Sequence, residues 1–89
     1  MSRKRKGATP KTIEERVAQA NEAETLLQSP VFVEACDLLE DKYINQWMHS
    51  AWHDDEERDR CYRHLHVLTD VKRELDSMIN SGKIAKQLT

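Results

Sequence analysis

The chain has 89 residues, a formal net charge of −2, and a composition that is 38% hydrophobic and 34% charged. This length predicts one domain with a small core, and this composition favours charge-laced helices over a deep enzyme pocket. The sequence has no run near the roughly 18 apolar residues of a membrane span and no apolar secretory signal at its start. We therefore expect a cytoplasmic protein that makes no membrane contact.

Basic charge is concentrated at the start of the chain. Residues 1–11 contain five of the 14 basic residues and none of the 16 acids, which leaves nine basic residues and a net charge of −7 beyond them. This polar segment, with Gly7 and Pro10, is predicted to be a disordered arm, followed by one helical domain over 12–89. The arm is either a solubilising terminus or a segment that neutralises DNA phosphates. Its basic residues are Arg3, Lys4, Arg5, Lys6 and Lys11.

A first helix is predicted over about 12–28. Two N-terminal caps compete, one at Thr9 before Pro10 and one at Thr12 with Glu15 three residues later. The apolar stripe of this helix is narrow and rich in alanine, so we expect it to pack weakly or to lie close to a partner. Its members are Ile13, Val17, Ala20, Ala23 and Leu27. A serine and proline at 29–30 then end this helix and begin the next one.

Two longer helices, over about 30–49 and 55–80, are predicted to form an antiparallel hairpin. Apolar residues recur at steps of three and four in both, which places them on one face of each helix. A short polar break at 49–54 joins the two faces, as in an αα-hairpin. The predicted fold class is therefore all-α, with this hairpin, a shorter helix before it and the basic arm.

The hairpin is also the predicted interaction surface. Its first helix carries further apolar residues beside the main stripe, among them Val31, Leu38 and Met48. A chain this short cannot easily bury two faces, so we expect a second neighbour, either the first helix or another copy of the protein. The predicted interaction face comprises Phe32, Cys36, Leu39, Tyr43, Trp47, Leu65, Leu68, Val71 and Leu75.

The break between the two long helices and the end of the third helix contain residues that predict a cap, a stop and the positions of two tryptophans. Asp54 and Glu57 form a capping signature for the third helix, and Gly82 is predicted to stop that helix in the left-handed conformation. Trp47 falls on the apolar stripe and is predicted to lie in the core. Trp52 falls in the break, where it either caps the open end of the hairpin or serves as an exposed anchor for a partner.

Four residues near the break are of types that bind zinc: His49, His53, Cys61 and His64. Cysteine and histidine prefer tetrahedral zinc sites, but the hairpin register separates Cys61 from His49 by roughly 9 Å along the axis. We therefore expect no metal or other cofactor. The same register separates Cys36 from Cys61 by roughly 10 Å, which predicts free thiols.

The sequence contains no recognisable arrangement of catalytic residues. The acids around the break alternate with arginines, as in solvated helix pairs, and the two glycines do not form a phosphate-binding loop. No nucleophile stands in a recognisable relation to a base. We expect that the protein is not an enzyme.

Four segments carry a resemblance to a known group of proteins: AETLL at 23–27, SPVF at 29–32, VKREL at 71–75 and SGKIA at 81–85. Together with Trp47 and the acidic break, their layout resembles small helical proteins encoded in the head and packaging gene clusters of tailed bacteriophages. The resemblance covers most of the chain after the arm and includes no catalytic or ligand-binding motif. It implies a role in assembling a particle or handling its DNA, a small terminase subunit being one version. The location would be the cytoplasm of a bacterial host or the particle itself.

Two functions follow as hypotheses. The first is a non-enzymatic helical protein that self-associates or docks on a larger protein assembly. The alternative is a DNA-binding accessory factor of packaging that uses the basic arm.

Overall fold

The computed structural model describes residues 10–89, in which three helices and no strand occur. We name them α1 (Ile13–Gln28), α2 (Pro30–Met48) and α3 (Asp55–Gln87). The predicted all-α fold is confirmed. The predicted disorder of the arm falls mainly on residues 1–9, outside the described residues, and within 10–12 Lys11 is exposed and not helical.

Caps of the predicted kind define the helix boundaries. Thr12 and Glu15 form a capping box, in which the Thr12 Oγ1 accepts from the Glu15 amide at 3.1 Å and the Thr12 amide donates to Glu15 Oε1 at 2.9 Å. The later of the two competing caps is therefore the one used. Ser29 is the single residue between α1 and α2, and its extended backbone (φ −70°, ψ 124°) interrupts the helix. Its hydroxyl accepts from the Phe32 amide at 3.4 Å and so caps α2.

The third helix is longer than the sequence predicts. It continues through Ser81 and Gly82 to Gln87, and no glycine among the described residues has a positive φ. The predicted stop at Gly82 is therefore wrong. Gly82 lies within α3 and is buried against Ala20 of α1, so its role is to permit a close approach between two helices rather than to end one.

The seam between α1 and α3 is closely packed. Small residues line it, so the two backbones approach closely, and a Cβ added at Gly82 would overlap the Cβ of Ala20. Arg16 reaches across the seam and donates from Nε to Ser81 Oγ at 3.0 Å and from Nη2 to the Ser81 carbonyl at 3.1 Å. The expectation that α1 packs weakly is therefore wrong, because its alanines and the glycine of α3 allow contact that larger side chains would prevent.

Both shorter helices run antiparallel to α3. Along α3 from its start, Cys61 contacts Gln46, His64 contacts Tyr43 and Lys72 contacts Glu40. The antiparallel hairpin is as predicted, but its register is shifted by about three residues, because the predicted separation of roughly 9 Å between Cys61 and His49 places Cys61 opposite Tyr43 and not opposite Gln46. Farther along, Gly82 meets Ala20 of α1. The N-terminal half of α3 thus packs against α2, and the C-terminal half packs against α1.

The core is very small. The buried apolar residues of the described chain are all small: Ala20, Ala23, Cys36, Cys61 and Ala85. The radius of gyration is 17.5 Å, with extents of 55 × 35 × 18 Å, whereas a compact chain of this length has a radius of about 12 Å. The structure is therefore an elongated set of paired helices. Within residues 10–89, no helix combines the length and apolar character needed to cross a membrane.

Candidate interaction surface

Large apolar side chains lie mainly at the surface of the described chain. Fourteen of them are exposed, from Leu39 at 37% to Trp52 at 84%, whereas none of the five buried apolar residues is larger than cysteine. Extended apolar surface of this kind marks interaction sites in soluble proteins. The exposed residues are Leu26, Val31, Val33, Leu38, Leu39, Ile44, Trp47, Met48, Trp52, Tyr62, Val67, Val71, Ile84 and Leu88.

The hairpin seam is only partly closed by contact between α2 and α3. Of the nine residues of the predicted interaction face, only Cys36 is buried. Leu39, Trp47 and Val71 are exposed, and the others, Phe32, Tyr43, Leu65, Leu68 and Leu75, are half-buried. The same stripe therefore holds the hairpin together and remains accessible along its flanks.

One flank of the hairpin forms an apolar groove. We call it the groove and define it by Leu39, Tyr43, Arg63, His64, Val67 and Leu68, which enclose a volume of about 480 Å³. The rings of Tyr43 and His64 meet across α2 and α3, with centroids 4.6 Å apart and a tilt of 48°. His64 is oriented by its own helix, since its Nδ1 donates to the Arg60 carbonyl at 2.8 Å. An open apolar groove with a few oriented polar groups can receive a side chain of a partner.

Three basic side chains lie at or near this groove, and two of them are paired with carboxylates. Lys42 places its Nζ 5.7 Å from the centre of the Tyr43 ring, and Arg63 pairs with Asp59 at 3.1 Å while 64% of its side chain stays exposed. Arg60 pairs with Glu57 at 2.7 Å, and the hydrogen bonds to that carboxylate raise the pKa of Arg60. Within residues 10–89, Lys42 forms no ion pair.

The connection between α2 and α3 presents an exposed tryptophan. We call residues 49–56 the tip. Trp52 is 84% exposed and contacts the neighbouring His53 ring edge-on, with centroids 5.3 Å apart. It does not cap the open end of the hairpin, so the second interpretation of this residue, an exposed anchor, is the one its position favours. Asp54, Asp55 and Glu56 follow it and are exposed.

Trp47 is not in the core, and that prediction is wrong. Its side chain is 40% exposed, and the Arg58 guanidinium lies over its ring at 4.2 Å from the centroid. The physical reason is that α2 ends at Met48, so no further turn of α2 is present to enclose the ring. Arg58 is held in place by a second contact, from Nη1 to Ser50 Oγ at 3.3 Å.

The possible zinc ligands are not brought together. Cys61 is fully buried, and its thiol donates to Gln46 Oε1 at 3.7 Å and to Glu57 Oε2 at 3.8 Å. His49 instead contacts the Asn45 carbonyl at 2.8 Å, and His53 contacts Trp52. In the part of the chain that the structure describes, no three His, Cys, Asp or Glu side chains form a metal-binding group. Cys36 and Cys61 are both free and buried.

A single ion pair links the two arms of the hairpin. Lys72 Nζ donates to Glu40 Oε2 at 2.9 Å, and each side chain is 36% exposed. The hydrogen bond to Glu40 raises the pKa of Lys72 above its ordinary value of 10.5, against a smaller opposing effect of burial. The pair joins α2 to α3 between the groove and the α1 seam.

Replacing Glu40 with glutamine should lower the free energy of unfolding by less than about 1 kcal/mol at neutral pH, because solvent screens a pair this exposed. The raised pKa means that the contribution is present below the ordinary lysine pKa of 10.5 and is lost as pH rises through the folded-state pKa. Urea denaturation of both proteins at neutral and stepwise higher pH measures this difference. If the gap between them stays constant to high pH, the effect belongs to packing and not to charge.

Three residues of the groove fall outside the interaction face predicted from sequence. Arg63, His64 and Val67 lie beside the apolar stripe and not on it, and His64 was predicted only as a possible zinc ligand. Val67 directly precedes Leu68, and this pair was the one available signal that the stripe of α3 is wider than a single seam.

The fold and this surface define a small all-α protein whose apolar side chains are largely presented to the outside. Comparison of the chain with protein-family models, with curated proteins and with solved structures gives no match. Its function is therefore argued from its surface.

Proposed function

We propose that this protein is a non-enzymatic helical interaction protein that self-associates or docks on a larger assembly through α2 and α3. The observation that supports this is the distribution of apolar side chains: the buried ones are small, and most of the 14 exposed large ones lie on the hairpin. Association would remove that surface from water, which is the main favourable contribution to most protein–protein association.

The size of the chain adds to this argument. Domains of this length bury a low fraction of their surface even when compact, and this one is elongated, with a radius of gyration of 17.5 Å. Proteins near this size limit often gain the missing burial from a disulfide, a metal or a partner. Both cysteines of this chain are free and form no disulfide. Its exposed apolar surface favours a partner as the source of the missing burial.

The non-enzymatic part of the proposal rests on the sequence, in which no nucleophile stands in a recognisable relation to a base. We place the protein in the assembly of a phage particle, in the host cytoplasm or the particle itself, on the strength of the sequence resemblance.

The basic arm supports a second candidate, a DNA-binding accessory factor. Five basic residues and no acid stand in residues 1–11, before a body with a net charge of −7. This charge separation suits an arm that contacts phosphates while the body contacts protein. Lys11 is the one basic residue of the arm that the structure describes, and it is exposed.

Light scattering on a sizing column, over a range of protein concentrations, tests the first candidate. We expect a mass above that of one 10.4 kDa chain, and a melting temperature that rises with concentration. A monomer whose melting temperature is high and independent of concentration would contradict self-association.

The same column run with a short DNA duplex tests the second candidate. DNA binding by the arm predicts a complex that forms at low salt, weakens as salt rises and is lost when residues 1–11 are deleted. The deletion leaves the capping box at Thr12 in place, so helicity should not change. Binding that survives the deletion would rule out the arm as the contact.

A further inference from the structure

The tip and the groove are complementary in chemistry. The tip presents Trp52 at 84% exposure, with Asp54, Asp55 and Glu56 beside it. The groove is an apolar space of about 480 Å³ that Arg63 and His64 help to line, with Lys42 near its Tyr43 ring. A tryptophan buries 150–250 Å² when it is enclosed, which makes it an effective anchor in a groove of this kind.

Contacts already present within one chain show how the groove would hold an indole ring. Arg58 lies over the Trp47 ring at 4.2 Å, a cation–π contact. At the groove, Arg63 has a side chain that is 64% exposed, and Lys42 lies near the Tyr43 ring without an ion-pair partner among the described residues. An indole ring that enters the groove would therefore meet a cation, as the ring of Trp47 does.

Charge distinguishes between the segments of this chain that could occupy the groove, namely the arm and the tip. The arm of residues 1–11 carries only basic charge and would meet Lys42 and Arg63 with like charge. The tip carries three carboxylates, and Asp55 and Glu56 form no ion pair within residues 10–89. Opposite potentials favour correct docking and like charges oppose it. The tip is therefore the segment of this chain that suits the groove.

Symmetry allows both contacts to form at once. The groove lies roughly 15 Å from the tip along the hairpin, from the helical rise between residues 55 and 66. If two hairpins lie antiparallel with this offset, the tip of each reaches the groove of the other. The result is an isologous two-fold dimer, which closes without leaving an unused tip or groove.

We propose that two copies of this chain form such a dimer, with Trp52 of each copy inserted into the groove of the other. The proposal rests on the proposed function of self-association and specifies its partner and its anchor. Other proteins remain the alternative occupants, and the experiment separates them from a second copy.

The test compares the wild-type protein with Trp52→Ala and Val67→Glu by light scattering over a range of concentrations. Both replaced residues are exposed, at 84% and 58%, so the folded monomer should persist, and circular dichroism verifies that it does. We expect each variant to weaken the dimer at least tenfold, because one loses the anchor and the other places a carboxylate in the groove. The matched control is Tyr62→Ala, an exposed aromatic on the other flank of α3, roughly 140° around the helix from Val67. It should leave the dimer unchanged.

Mixing the two variants provides a complementation test. Trp52→Ala retains an intact groove and Val67→Glu retains an intact tip, so the mixture restores one of the two contacts. We expect a heterodimer that is weaker than the wild-type dimer and stronger than either variant alone. A mixture that behaves as the sum of its components would overturn the reciprocal arrangement.

The outcomes separate this inference from the proposed function. A wild-type dimer that both variants leave intact would overturn the insertion of Trp52 while self-association stands. A wild-type protein that is monomeric at every concentration would overturn both self-association and this pairing. Loss of the dimer in both variants, with Tyr62→Ala unaffected, supports the pairing.

Discussion

Replacing Gly82 with alanine should destabilise the protein by about 1–3 kcal/mol, the usual cost of overpacking a tight contact. The sign of this stability change is informative, because glycine-to-alanine changes inside a helix ordinarily stabilise the helix by about 1 kcal/mol. Here the added Cβ would overlap the Cβ of Ala20 and would lie 3.2 Å from the Arg16 carbonyl oxygen. Neither atom is at the end of a flexible side chain, so the helices must separate. Urea denaturation followed by circular dichroism measures the change.

Two variants serve as controls for this prediction. Asn80→Ala lies on the same helix but is exposed, so it should be neutral or slightly stabilising. Ala20→Gly combined with Gly82→Ala moves the methyl group to the other side of the seam, and should recover part of the stability that Gly82→Ala loses. Stabilisation by Gly82→Ala alone would show that α1 and α3 are not in close contact.

Ending the chain after Asn80 should unfold α1. The truncation removes Gly82 and Ala85, against which α1 packs, and the Ser81 hydroxyl and carbonyl that Arg16 bonds. The 16 residues of α1 have a weak apolar stripe, and an isolated helix of this length is marginal in water. The helical signal should therefore fall by roughly one third, more than the loss of the removed residues alone explains.

A shorter truncation provides the matched control. Removing only Leu88 and Thr89, which follow the end of α3 at Gln87, should leave the helical signal nearly unchanged. This pair of truncations also tests the correction to the sequence-based prediction, in which α3 ends at Asn80. If the chain ending at Asn80 retains α1, the closing segment of α3 does not support that helix.

Much of the secondary structure follows from local chemistry. The capping box at Thr12, the serine and proline at 29–30 and the cap at Asp54 each satisfy backbone groups of a nearby helix end, so their positions mark the helix starts. The antiparallel pairing of α2 with α3 follows from the period of the apolar residues and from the short break between the two helices. These features depend on neighbours within a few residues or on one helical face.

Gly82 shows where local reasoning fails. A serine–glycine pair near the end of a helical pattern is a common stop signal, because glycine adopts the left-handed conformation easily. The structure keeps Gly82 helical, because burial against Ala20 outweighs the intrinsic preference of glycine to break a helix. That contact joins residues 62 positions apart, and no local pattern reveals it.

Some features of the candidate surface follow from the sequence, and others depend on the tertiary structure. The sequence by itself determined that this is an all-helical chain with an apolar stripe on its hairpin and an acidic tip containing Trp52, because periodicity and composition are local properties. Only the tertiary structure decided that α1 packs on the end of α3, that Trp52 is exposed and that Lys42, Arg63 and Val67 adjoin one groove. The physical reason is that helix pairing depends on how closely two backbones approach, and small residues far apart in the chain set that distance.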